Sequence, residues 1–155
     1  MRKLLLLAAV SAVGYGAWNW HSSSARPNEV LRDRIWIDHL PRNERDPIQT
    51  FVILKENPVG VFNNASMWRG SYELYRYEMQ GRQIRMEFPQ TGDRETVKAE
   101  ASTCREGGMD FCLTLEGSSR GTKRYYSREG WELRSLDDAR AELDAIEAEA
   151  SSRGE

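Results

Sequence analysis

From Asp33 to Leu133 the chain alternates short apolar and aromatic runs with turn signals, and the alternation has a period of two. This pattern predicts strands at about Arg34–Leu40, Ile48–Lys55, Val59–Ala65, Ser71–Met79, Gln83–Pro89, Thr96–Cys104, Phe111–Gly117 and Thr122–Leu133. Between them lie "PRNERDP", "ENP", "NNASMWRG", "QGR", "QTGDRE", "REGGMD" and "SSRG". Closely spaced strands with no helix between them predict a mostly β chain, an antiparallel up-and-down barrel of about eight strands, with a sandwich as the competing architecture.

After Leu133 the period changes. "SLDDARAELDAIEAEASS" is helical, and Ser135 with Asp138 forms a capping box at its start. Leu136, Ala139, Leu143 and Ile146 recur at three- and four-residue steps, one narrow seam on a charged helix. A helix of about 15 residues is marginal alone in water, so it must dock, either on its own barrel or on a second copy. Leu133 and the capping box leave almost no linker, which favours its own barrel.

The opening reads differently again. "MRKLLLLAAVSAVGYGAWNW" sets Arg2 and Lys3 before a charge-free apolar run, and polar "HSSSARPNE" follows. This is the form of a secretory signal, with cleavage after Gly16 or after Ala25. The run to Trp20 is about 17 residues, the lower limit for a spanning helix, so an uncleaved inner-membrane anchor competes with cleavage. Trp18 and Trp20 would suit the membrane interface. The expected organisation is a signal or anchor over 1–25, a β-barrel domain over 26–134 and a helix with tail over 135–155. The expected location is periplasmic or extracellular.

Composition narrows the partners. Of 155 residues, 39% are hydrophobic and 30% charged, and the net charge is -2. Near balance gives no global attraction to nucleic acid or an anionic membrane. The signs are separated along the chain, however. Arg120, Lys123, Arg124, Arg128 and Arg134 form a basic stretch, and the tail is acidic.

Cys104 and Cys112 are the only cysteines. A hairpin centred on Gly108 sets Cys104 opposite Cys112, Thr103 opposite Leu113 and Ala101 opposite Leu115. Val97, Ala99, Ala101, Phe111, Leu113 and Leu115 then face inward, and both thiols face water. Opposite residues come within about 4.5–5.5 Å, close enough for a disulfide. Closing so short a loop contributes about 2–3 kcal/mol on the loop-entropy account. A metal site would need further ligands, and the only histidines are His21 and His39.

A two-residue turn at Gln80-Gly81 pairs Tyr77 with Ile84, Tyr75 with Met86 and Glu73 with Phe88. Ile84, Met86 and Phe88 mark the inner face, so Glu73, Tyr75 and Tyr77 point inward. The same treatment of "SSRG" sends Arg124 and Tyr126 inward, whereas a shift of one residue sends Tyr125 and Ser127. Inward Glu73 and Arg124 need partners, each other or different ones. These five residues, Glu73, Tyr75, Tyr77, Arg124 and Tyr126, are the candidate ligand-binding set.

Eight consecutive antiparallel strands, Trp36 in the first of them ("RIWIDHL") and a helix after the last resemble the lipocalins and the wider calycin barrels. In that family the first-strand Trp packs near the closed end against an Arg from the last strand, a role open here to Arg124 or Arg128 in "KRYYSREGW". Arg34 stands where the family's Gly-x-Trp has glycine. The resemblance implies a small apolar or amphipathic ligand.

The sequence contains no Gly-x-Ser-x-Gly, His-Glu-x-x-His or Gly-rich phosphate loop. Asp38 and His39 would point to opposite faces of one strand and so form no local dyad. The expectation is a non-enzymatic exported barrel without cofactor, metal or nucleic-acid partner, touching a membrane only through an uncleaved N-terminal segment. It would bind a small apolar ligand; the alternative is a cell-envelope protein-interaction module with a filled core.

Overall fold

The structure, a computed structural model, describes residues 27–43, 45–56, 58–66 and 69–153; the expected signal or anchor over 1–25 lies outside them. Eight strands close into an antiparallel barrel in which each strand neighbours the next: β1 (Ile35–Ile37), β2 (Ile48–Ile53), β3 (Val59–Ser66), β4 (Arg69–Gln80), β5 (Gln83–Glu87), β6 (Arg94–Glu106), β7 (Met109–Glu116) and β8 (Arg124–Ser127). A short helix α1 (Pro27–Leu31) precedes the barrel, and helix α2 (Leu136–Arg153) follows it. Among the described residues no helix is long and apolar enough to cross a membrane.

Alternation along each strand creates two apolar layers. Trp36, Phe51, Phe62, Tyr75, Ile84, Met86, Phe88, Val97, Leu113 and Tyr125 point inward and form one buried cluster, joined by Val30 and Leu31 from α1. Ile35, Ile37, Ile48, Val52 and Leu54 point outward, and so would be wet on an ordinary barrel. Instead they form a second buried cluster with Trp131, Leu133, and Ala139 and Ile146 of α2. Leu143 packs against the same cluster; the Leu136 side chain is not among the described ones. The helical seam therefore docks on its own barrel. Its start is capped as expected: Asp138 N–H donates to Ser135 Oγ at 3.2 Å, and Ser135 N–H donates to Asp138 Oδ2 at 3.1 Å.

Two hairpin registers differ from expectation by two residues. Gly81, at φ 59°, takes the first turn position rather than the second, so Gln80 pairs with Gln83, Tyr77 with Met86 and Met79 with Ile84. In the β6–β7 hairpin, Ala101 pairs with Leu113 and Ala99 with Leu115. A bulge sets Cys104 and Arg105 together against Asp110, between the pairs Thr103–Phe111 and Glu106–Met109. A slip of two preserves every side chain's face, so the inward set stands.

The Cys104–Cys112 disulfide is present, with Cα atoms 5.6 Å apart. The two residues are diagonal across the bulge rather than directly opposite, since Cys112 pairs with Ser102. Nor are both sulfurs in water: Cys112 is buried and Cys104 is only partly exposed.

Candidate functional site

The barrel interior holds three of the expected site residues. Tyr75 is fully buried and donates its phenol to Val52 O at 2.8 Å; Tyr77, half-buried, donates to Leu54 O at 2.7 Å. Both hydroxyls are thus spent on backbone carbonyls of the β2 segment. Glu73 lies nearer the end of the barrel where the β5–β6 and β7–β8 loops meet.

Arg124 and Tyr126 need correction. Leu113 pairs with Tyr125 and Thr114 with Arg124, so the one-residue alternative holds and Tyr125 and Ser127 are the inward pair. Arg124 lies outside, paired with Glu106, and Tyr126 packs on the outer cluster. The physical reason is the irregular loop before β8, which consumes an odd number of residues more than a simple turn would.

Five of the chain's own rings pack together in the interior. Phe51 stacks on Tyr75 with centroids 6.0 Å apart, Phe62 lies 5.4 Å from Tyr75 and 6.3 Å from Phe88, and Tyr125 lies 5.9 Å from Phe51. Two glycines make this packing feasible. A Cβ on Gly60 would lie 2.1 Å from the Tyr75 ring and one on Gly121 would lie 1.9 Å from the Tyr125 hydroxyl, both well inside contact distance. Desolvation raises the pKa of Tyr75 well above the ordinary phenol value and pushes Tyr125 up to about 12, so both stay neutral.

One end of the barrel is closed by charge. Arg120, in the β7–β8 loop, lies with its guanidinium carbon 3.7 Å from the Phe88 ring centre. It reaches Glu73 at 2.7 Å, Asp93 at 2.7 Å and Glu95 at 2.5 Å. Ser118 and Ser119 also donate to Glu95. Partial burial alone would lower the Arg120 pKa, but its bonds to Glu73, Asp93 and Glu95 raise it. Desolvation pushes the Glu95 pKa up, yet the serine and arginine bonds win and hold it low; Asp93 is held low chiefly by Arg120.

Arg120 is thus the partner of Glu73 that the sequence left open. In the sequence it falls within the turn "SSRG". A signal did exist: in an up-and-down barrel alternate loops share one end, which brings "SSRG" and "TGDRE" together.

The other end holds a second arginine. Arg34 is buried 3.9 Å from the Phe111 ring centre and 5.9 Å from that of Trp36. It pairs with Glu132 at 2.6 Å and donates to Arg128 O at 3.2 Å, while its Nε has no partner. The cation beside Trp36 therefore comes from the first strand, not from Arg124 or Arg128 of the last. Arg128 turns away, over Trp131 and toward Glu149.

Two features lie outside the barrel. His39 contacts Asp38 through Nδ1 at 3.0 Å and Asp46 through Nε2 at 3.3 Å. The expected separation of Asp38 from His39 fails because β1 ends at Ile37. The arrangement ties the β1–β2 loop, and among the described residues no group of three or more His, Cys, Asp or Glu is placed to hold a metal ion. On the opposite flank, β4, β5 and β6 present charged rows: Arg76–Glu87–Arg94 in one, Glu78–Arg85 in the next. They line an open concavity of about 710 Å³.

Comparison with family models, curated proteins and solved structures finds no match for this chain.

Proposed function

We propose that this chain is an exported, non-enzymatic interaction module built on a calycin-like barrel, its outer surface meeting another protein of the cell envelope. The observation that carries the reading is the interior. Phe51, Phe62, Tyr75, Phe88 and Tyr125 pack together in the barrel interior, and the hydroxyls of Tyr75 and Tyr125 already have partners. A ligand barrel keeps an apolar cavity of about 300 Å³ or more, with a few free polar groups to orient its guest. The disulfide suits an oxidising compartment, which supports export.

The partner surface is the charged concavity on β4–β6. Arg94 meets Glu87 at 3.1 Å and Arg85 meets Glu78 at 3.8 Å, all four of them exposed. Exposed pairs are worth little to the fold, so this face can exchange its internal pairs for a partner's charges at small cost.

One observation favours the ligand reading, in which an apolar or amphipathic molecule enters the barrel. The Arg120 end is closed by Arg120 and Asp93 on loops, bonded to each other and, through Arg120, to Glu73 of β4 and Glu95 of β6, beside Phe88 of the aromatic cluster. Native mass spectrometry of protein extracted from its own host separates the two. The interaction module appears as the bare chain or with a protein partner, and reversal of Arg76 and Arg85 to Glu removes that partner without changing the melting temperature. A stoichiometric lipid on the barrel overturns the module and establishes the ligand reading.

A further inference from the structure

We propose that the Cys104–Cys112 disulfide is a directional thiol-exchange site, attacked at Cys104 and releasing Cys112 beside Arg124. Three observations set the direction. Cys104 is partly exposed and lines an open concavity of about 400 Å³ with Thr103, Arg105, Asp110, Phe111 and Glu129. Cys112 is buried and does not line it. On the other side of the bond, the Arg124 guanidinium donates to Cys112 Sγ at 3.9 Å. Exchange needs the attacking sulfur in line with the bond that breaks, and it quickens when the leaving sulfur is a stabilised thiolate. The open approach lies on the Cys104 side and the cation on the Cys112 side.

The step balances with a dithiol as the reductant. A donor thiolate bonds to Cys104 Sγ as the Cys104–Cys112 bond breaks, and the electron pair departs on Cys112 Sγ. The donor's second thiol, deprotonated by solvent, then attacks the donor sulfur of the mixed disulfide. Cys104 leaves as a thiolate, and both protein thiolates can take protons from solvent. The donor is oxidised to a disulfide and the protein disulfide is reduced to two thiols. Glu106 moderates the site, because it pairs with the same Arg124 guanidinium. Reduction removes the staple across the bulge that sets Cys104 and Arg105 against Asp110. Exchange at this disulfide does not depend on which partner the outer face meets.

The test uses the folded full chain. Dithiothreitol supplies the rate of disulfide opening, and reduced glutathione with acid quenching and peptide mapping locates the first adduct. The expected adduct is on Cys104. Arg124→Gln should slow opening about three- to tenfold, by loss of the charge that stabilises the leaving thiolate. Glu106→Gln should act in the opposite sense and speed it about threefold, by freeing that charge. Both residues are exposed, so circular dichroism should be unchanged. An adduct on Cys112, a wild-type disulfide that does not open in the folded chain, or equal rates in all three proteins would overturn the proposal.

Discussion

The two ends of this barrel are closed by the same device with opposite electrostatics. At each end a guanidinium lies on a phenylalanine ring, Arg120 on Phe88 at 3.7 Å and Arg34 on Phe111 at 3.9 Å. Arg120 has three carboxylates around it and its pKa is raised. Arg34 is more deeply buried and has one direct ion pair, to an exposed Glu132, with Glu129 and Asp110 acting only at longer range; desolvation wins there and its pKa is lowered. Burial alone is therefore a poor guide to what an ion contributes. The partners it neutralises decide, because a buried charge costs free energy that only good pairing returns.

The largest effect expected from this contrast is at Arg120. Arg120→Leu keeps an apolar contact to Phe88 but leaves Glu73, Asp93 and Glu95 facing one another. The loss should be about 1–3 kcal/mol by urea denaturation, below the full cost of breaking a buried pair because Glu73 and Asp93 reach water. A variant as stable as wild type would make the cluster ornamental and the two ends equivalent.

Acid should erase that difference. The folded-state pKa values of Asp93 and Glu95 are lowered, so their contribution is present above the unfolded carboxylate pKa and is lost as pH falls through the folded values. Wild type should hold its Arg120 advantage down to about pH 4 and lose it progressively below, as these groups protonate. The stability gap to Arg120→Leu should narrow over that range. A gap independent of pH would mean that Arg120 acts through packing on Phe88 alone.

These contacts also mark what a sequence can and cannot carry. The inner faces of β4 to β7 were legible because alternation survives a slip of two, as Tyr75, Ile84 and Leu113 show. The face of β8 was not. Arg124 with Tyr126 and Tyr125 with Ser127 are each one aromatic and one polar residue, and only the length of the preceding loop chooses between them. Trp36 is legible as a core residue, yet the family resemblance points to the last strand for its cationic neighbour. Arg34 precedes Trp36 by two residues and shares its face, so the local alternation already pointed to it. The Arg120 cluster joins two turns far apart in sequence, and local patterning carries no signal for that; the shared end of the barrel does.

The smallest effect is expected at the more buried arginine. Arg34→Leu removes an ion pair to Glu132, a hydrogen bond to Arg128 O and a long contact to Ser127 Oγ at 3.4 Å. It also removes a desolvated guanidinium whose Nε has no partner. Leucine keeps apolar contact with Phe111 and Trp36, and the carboxylate left behind is exposed, so no buried charge is orphaned. Replacing a buried ion by an apolar side chain of similar reach is often close to neutral, so the variant should lie within about 1 kcal/mol of wild type. Because the two arginines share no partner, the double variant Arg34→Leu with Arg120→Leu should equal the sum of the singles to within about 0.5 kcal/mol. A loss at Arg34 larger than at Arg120 would reverse the comparison. It would mean that the hydrogen bonds of Arg34 across the β1–β8 seam, where Ile37–Tyr126 is the one register pair between those strands, outweigh its desolvation.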